Sequence, residues 1–154
     1  MGPAAVRISP TSWSAPDLTN WVDSVQVAYD RAVERDPDVV LVAHSLGCWA
    51  ASGWLAANPG RSARGVFMAA PPDLNGQNFP REAASTFLDA PADPLSCASV
   101  VVASANDPYC TVDVAATIAA DWGSPVHVAG SLGHINSASD TAGGMTAGHC
   151  WTRS

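Results

Sequence analysis

Three residues stand directly behind apolar runs and are of types that can work together: Ser45, Asp107 and His134. Val39-Val40-Leu41-Val42-Ala43 is followed by His44-Ser45-Leu46-Gly47. Ala43 to Gly47 fits small-x-Ser-x-small, a variant of the G-x-S-x-G nucleophile elbow, in which a sharp strand-to-helix turn holds the serine strained and exposed. Small residues suit the two ends because a side chain at either end would collide with the neighbouring strand or helix. Val100-Val101-Val102-Ala103 leads into Ser104-Ala105-Asn106-Asp107-Pro108, and Val126 to Ala129 leads into Gly130-Ser131-Leu132-Gly133-His134. A serine hydroxyl, an imidazole and a carboxylate in relay perform acyl transfer: Ser45 Oγ attacks a carbonyl, His134 moves the proton, and Asp107 fixes the imidazole tautomer. The N–H of Leu46, at the start of the following helix, suits a developing oxyanion, as does the positive end of that helix.

Each residue also has a plain structural reading. Ser45 could simply cap a helix. Asn-Asp-Pro is common turn chemistry. A histidine on a glycine-flanked loop is commonly just solvated. What favours chemistry is the conjunction of three such residues behind three separate strands, since in a parallel sheet catalytic groups gather at the carboxyl ends of the strands. His44 is expected to point into the protein or pack near the elbow, and His127 lies in a strand. The histidines show no ligand spacing with Cys or carboxylates, so neither a metal nor another cofactor is expected. Cys48, Cys97, Cys110 and Cys150 are widely spaced and read as free thiols.

The elements that must position these groups alternate. Val6-Arg7-Ile8 reads as a strand. Asp17 to Asp36 is a helix by the i, i+3, i+4, i+7 spacing of Leu18, Trp21, Val22, Val25, Ala28, Tyr29, Ala32 and Val33, with Asp17 as N-cap. Val39 to Ala43, Gly65 to Ala69, Val100 to Ala103 and Val126 to Ala129 are strands, and the unbroken apolar runs among them mark burial on both faces. Leu46 to Asn58 and Val112 to Trp122 are helices, with one more short helix around Arg81 to Leu88. Trp21, Trp49, Trp54 and Trp122 sit at helical positions and belong to the core, while Trp13 could line a pocket. This order implies an α/β fold, a three-layer αβα sandwich with a mostly parallel sheet. A single domain is expected over 1–139, with a loose tail over 140–154.

The chain has 154 residues, of which 47% are hydrophobic and 14% charged, and a formal net charge of −7. All seven cations are Arg. That balance argues against nucleic acid or an anionic membrane as a partner, because such binding needs clustered cations. No apolar stretch approaches the roughly 18 residues of a membrane span, and the first residues lack the pattern of a secretion signal. A cytoplasmic protein acting on a small molecule is the expectation, with a protein partner not readable.

Val42-Ala43-His44-Ser45-Leu46-Gly47-Cys48, Ala103-Ser104-Ala105-Asn106-Asp107-Pro108-Tyr109-Cys110, Trp122-Gly123 and Gly133-His134-Ile135-Asn136 together resemble the retinoblastoma-binding-protein-9-like (YdeN-like) serine hydrolases. These are small α/β hydrolases without a large lid, and nucleophile, acid and base occur here in the α/β-hydrolase chain order. The resemblance, over about Ser12 to Ser139, implies that Ser45, Asp107 and His134 are the triad. It also implies hydrolysis of small acyl or aryl esters or amides. Two departures stand out. Family members begin with an extra strand and a His-Gly-type loop that contributes a second oxyanion-hole N–H, and nothing in Met1 to Pro10 supplies it. A central strand between those at Val6 and Val39 is thus missing: either the chain is N-terminally truncated, or the sheet has rearranged. The family also continues into an amphipathic C-terminal helix, for which Asp140 to Ser154 has no helical stripe.

The alternatives to a serine hydrolase are a catalytically impaired relative acting as a binding module, and a flavodoxin-like phosphate binder with an anion at the helix from Leu46. The second is disfavoured because no Gly-rich loop follows a strand.

Overall fold

The computed structural model describes residues 5–61, 63–136 and 149–151, the last three by their backbone. Strand β1 (Ala5–Arg7) is followed by helix α1 (Leu18–Val33), strand β2 (Val40–His44), helix α2 (Leu46–Ala57) and strand β3 (Gly65–Ala69). A short 3-10 helix (Ser85–Asp89) precedes strand β4 (Ala98–Ala103), helix α3 (Val112–Asp121) and strands β5 (Val126–Val128) and β6 (His149–Trp151). The short helix expected around Arg81 to Leu88 is thus a 3-10 turn shifted towards Asp89.

Strands β2, β3, β4 and β5 form a parallel sheet in that order. Its register pairs Val42 with Phe67 and Phe67 with Val100. Consecutive parallel strands need a crossover, and α2 and α3 supply it for β2–β3 and β4–β5. This is the expected α/β fold, a parallel sheet flanked by helices. The sheet's inner face is the core: Leu41, Val66, Met68 and Val101 are buried together with Trp21, Trp49, Trp54 and Trp122 of the helices. The opposite face, with Val40, Val42, Phe67, Val100 and Val102, is only half-buried, so the burial on both faces expected from these apolar runs does not hold.

Helix α1 forms because its apolar residues recur on one stripe, burying Trp21, Val25, Ala28, Tyr29 and Ala32. Its start is set by Asp17, whose carboxylate accepts the Asn20 N–H at 2.9 Å; such a cap is worth about 1 kcal/mol. Helix α2 is apolar nearly all round, as a helix packed between α1 and the sheet must be.

Two features depart from the expected topology. β1 does not join the parallel sheet. It pairs antiparallel with β6, Val6 opposite Cys150, in a separate two-stranded ribbon. β6 runs between β1 and β2 without a hydrogen-bonded ladder to β2. The place expected for a missing central strand is therefore taken by a segment from the far end of the chain. The physical reason is that β1 needs partners for its backbone groups. The tail expected to be loose over 140–154 lies outside the described residues apart from this strand.

Candidate active site

The site is built at the carboxyl ends of β2, β4 and β5. Ser45 follows β2 and opens α2 with φ 56 and ψ −128. Its side chain caps no helix N–H, which removes the reading of Ser45 as a plain N-cap. A non-glycine residue there costs of order 1–3 kcal/mol. The turn is held by the Ser45 N–H, which donates to the Ala69 carbonyl at 3.0 Å. One expectation about the turn needs correcting. A Cβ added at Gly47 would stand 4.0 Å from the Ala43 Cβ, an ordinary contact, so a methyl group there would not collide.

His134 and Asp107 meet the serine from the other side. The Ser45 hydroxyl lies 2.9 Å from His134 Nε2, and His134 Nδ1 lies 3.0 and 2.9 Å from the two oxygens of Asp107. Asp107 is buried at 2% side-chain exposure, and His134 keeps 13%. The three residues singled out in the sequence are thus brought into one hydrogen-bonded line. In it Ser45 Oγ can donate to Nε2 while Nδ1–H donates to the carboxylate. Asp107 also accepts the Tyr109 N–H at 2.9 Å, an Asx turn that sets its own rotamer.

The loop carrying His134 is held by side chains the sequence did not single out. Ser104 Oγ accepts the Leu132 N–H at 2.8 Å and donates to Asn106 Oδ1 at 2.9 Å; that same Oδ1 accepts the Gly133 N–H at 2.7 Å. His44 Nε2 donates to the His134 carbonyl at 2.7 Å. Burial pulls the pKa of His44 below the usual imidazole range, because a charged ring loses hydration there. Among the described residues, three that are not glycine have positive φ, namely Ser45 (56), Ala70 (50) and Ile135 (49). Ser45 is one end of the hydrogen-bonded line, Ile135 directly follows His134, and Ala70 follows β3 beside β2; strain of this kind gathers at working sites.

A cavity of about 260 Å³ opens beside this line, with Leu46, Pro72, Phe79, Pro80 and Tyr109 completing its wall. It is mostly apolar and below the roughly 300–1,000 Å³ of sites that hold drug-sized molecules. The Tyr109 ring packs against the His134 ring, centroids 4.6 Å apart. Among the lining residues, the N–H groups of Ser45, Phe79 and Tyr109 are engaged with Ala69, Gly76 and Asp107, and the prolines have none. Leu46, the first residue of α2, carries an N–H without an intrahelical acceptor. Cys48 and Cys110 are not rival nucleophiles, since burial raises both thiol pKa values, that of Cys110 to about 12. Trp13, considered as a pocket residue, lies elsewhere: it stands edge-on to Trp21 at 5.3 Å, with Arg7 over its ring.

The sequence profile of a family described as serine hydrolase matches residues 2–143. No curated protein matches. Among solved structures, a protein described as a YdeN-like hydrolase from Pectobacterium atrosepticum is similar at 28% identity and TM-score 0.69, over 86% of this chain and 66% of that one. The ydeN gene product from B. subtilis is similar at 18% identity and TM-score 0.62, over 82% of this chain and 69% of that one. Est1E from Butyrivibrio proteoclasticus shares the fold at 13% identity and TM-score 0.61, over 82% of this chain and 65% of that one. The chain spans about two thirds of the length of these proteins. Its α/β fold and a family match running along nearly all of its sequence lead to one conclusion: the chain belongs to the serine hydrolase family.

Proposed function

We propose that this protein hydrolyses esters of small, uncharged acyl or aryl groups, and more slowly the corresponding amides, through an acyl-enzyme on Ser45. Ser45 Oγ attacks the carbonyl carbon as His134 Nε2 takes its proton. The C=O becomes a tetrahedral oxyanion beside the Leu46 N–H. His134 then returns the proton to the leaving oxygen or nitrogen as the bond to carbon breaks. A water attacks the acyl-serine with His134 again as base, releasing the acid and restoring the hydroxyl. Asp107 holds Nδ1–H and stabilises the imidazolium without itself taking the proton.

The observation that carries this reading is the 2.9 Å approach of His134 Nε2 to Ser45 Oγ at the mouth of the apolar cavity. Such a distance is already within reach for general-base catalysis. The size and polarity of the wall favour a compact uncharged group over a long chain or an ion. Est1E has been seen with ferulic acid, a small aromatic acid, bound; a group of that kind is the class we assign to this chain. With one identified oxyanion donor, turnover is expected to be modest, since losing a donor costs a factor of about 10² to 10³.

A fluorophosphonate probe and p-nitrophenyl esters of rising chain length test the proposal. Labelling that vanishes in S45A, with acetate and butyrate cleaved well ahead of palmitate, is the expected result. Intact protein that takes no label would instead favour a binding module built on a hydrolase fold.

A further inference from the structure

Residues 44 and 45 are consecutive, yet they engage the same distant residue at two different points. Ser45 meets His134 at Nε2, and His44 meets it at the backbone carbonyl. His44 ends β2 and is 6% exposed, so its ring is anchored in the sheet rather than on the loop. A carbonyl only accepts, so Nε2 of His44 carries the proton. Its Nδ1 is buried and has no hydrogen-bond partner among the described residues. Burying that nitrogen unpaired is costly, and the bond from Nε2 is the polar contact of the ring that offsets it. We infer that His44 is a positioning residue for the base: its Nε2–H pins the His134 carbonyl and so registers the imidazole on the hydroxyl that the very next residue carries.

The inference rests on the proposed role of Ser45 and His134. Nucleophile and base are brought in on separate strands and loops, and the distance between them depends on how two loops settle. A bond from the nucleophile's own strand to the base's own backbone removes that freedom. The state of the ring fits this task. Burial keeps His44 neutral, so it adds no positive charge beside the imidazolium that His134 becomes, although the two rings are only 4.9 Å apart. Tyr109 also packs against the His134 ring, and the carbonyl bond adds a restraint on the backbone that carries it.

The test uses H44F, which keeps ring volume and loses the donor, and H44Q, whose side-chain amide can reach the same carbonyl. With p-nitrophenyl acetate, H44F is expected to lose about 10- to 100-fold in kcat with KM unchanged, since a displacement near 1 Å can cost that much. Fluorophosphonate labelling should slow by the same factor, and H44Q should recover most of the loss. In the wild type and in S45A, nitrogen-15 NMR should find the His44 proton on Nε2 at neutral pH. H44F labelled as fast as wild type, H44Q no better than H44F, or a proton on Nδ1 alone would each overturn the inference. If H44F does not fold, the tautomer and H44Q decide. Wild type that takes no label would defeat the proposed triad, and the tautomer in S45A would still report on His44 independently.

Discussion

Ser45 donates its backbone N–H to the carbonyl of Ala69, which ends the neighbouring strand, at 3.0 Å. This bond lets the sheet hold a serine at φ 56, where it would otherwise relax into an ordinary helix cap. The strain belongs to the backbone and not to the hydroxyl, so the two can be separated. S45A and S45G should both lose hydrolysis by on the order of 10⁵-fold or more. S45G should be the more stable of the two by about 1 kcal/mol, because glycine adopts positive φ without steric cost. Thermal unfolding of the pair checks this; equal midpoints would show that the turn stores no strain.

Asp107 contacts His134 Nδ1 through both carboxylate oxygens. D107N keeps the shape but offers an N–H where an acceptor is needed, which favours the wrong imidazole tautomer. A fall in kcat on the order of 10⁴-fold is expected, with KM for p-nitrophenyl acetate little changed. Retention of more than a tenth of the activity would mean that another group orients the imidazole.

The Ser104 hydroxyl and Asn106 carbonyl oxygen together take the two N–H groups immediately before His134. S104A removes the hydroxyl to which the Leu132 N–H donates, and Ser104 is 1% exposed. A loss of about 1–3 kcal/mol of stability is expected, together with a drop in kcat. Amide hydrogen exchange should quicken at Leu132 and Gly133 while β2 and β3 keep their protection. Unchanged exchange at these two amides would show that the loop is held by other means.

The buried neutral state of His44 has a consequence for acid stability. Its native pKa is lowered chiefly by burial, with the His134 carbonyl and Asp107 opposing and the His134 ring adding to the effect. The unfolded chain takes up this proton near pH 6.5, whereas the native state takes it up only at lower pH. Between those points the unfolded state holds more protons, so stability falls as pH drops, by at most about 1.4 kcal/mol per pH unit. Above pH 6.5 the contribution is constant. Urea midpoints measured from pH 8 to pH 5 should decline less steeply below 6.5 in H44F than in wild type. Parallel profiles would mean that His44 takes up its proton at the same pH in the native and unfolded states.

Much of the fold was readable because its signals are local. The unbroken run Val39 to Ala43 gave away a buried strand, and β2 covers Val40–His44. The stripe from Leu18 to Val33 with Asp17 before it marked α1 and its cap. Ser45, Asp107 and His134 were found because each follows such a run, and strand ends in a parallel sheet converge in space. What was missed is long-range. Nothing in the neighbourhood of His44 announces that its ring meets a carbonyl at position 134. Ser104 and Asn106 looked like turn residues, and their real partners lie across the rim on another loop. β6 escaped for a different reason: His149-Cys150-Trp151 is three residues long in a background of Gly, Ala, Ser and Thr, too short for any periodicity. Its pairing with β1 also overrode the parallel arrangement read from Val6 to Ile8.

Nearly the entire polypeptide lies between Val6 and Cys150, which face each other in the β1–β6 ribbon. Closing so large a loop costs more chain entropy than any other pairing in the molecule, for only three residues of ladder. Such a contact forms late and opens early. The ribbon should therefore behave as a latch that unfastens well below the melting of the parallel sheet, leaving β2 with a bare flank while the rest of the molecule is still folded.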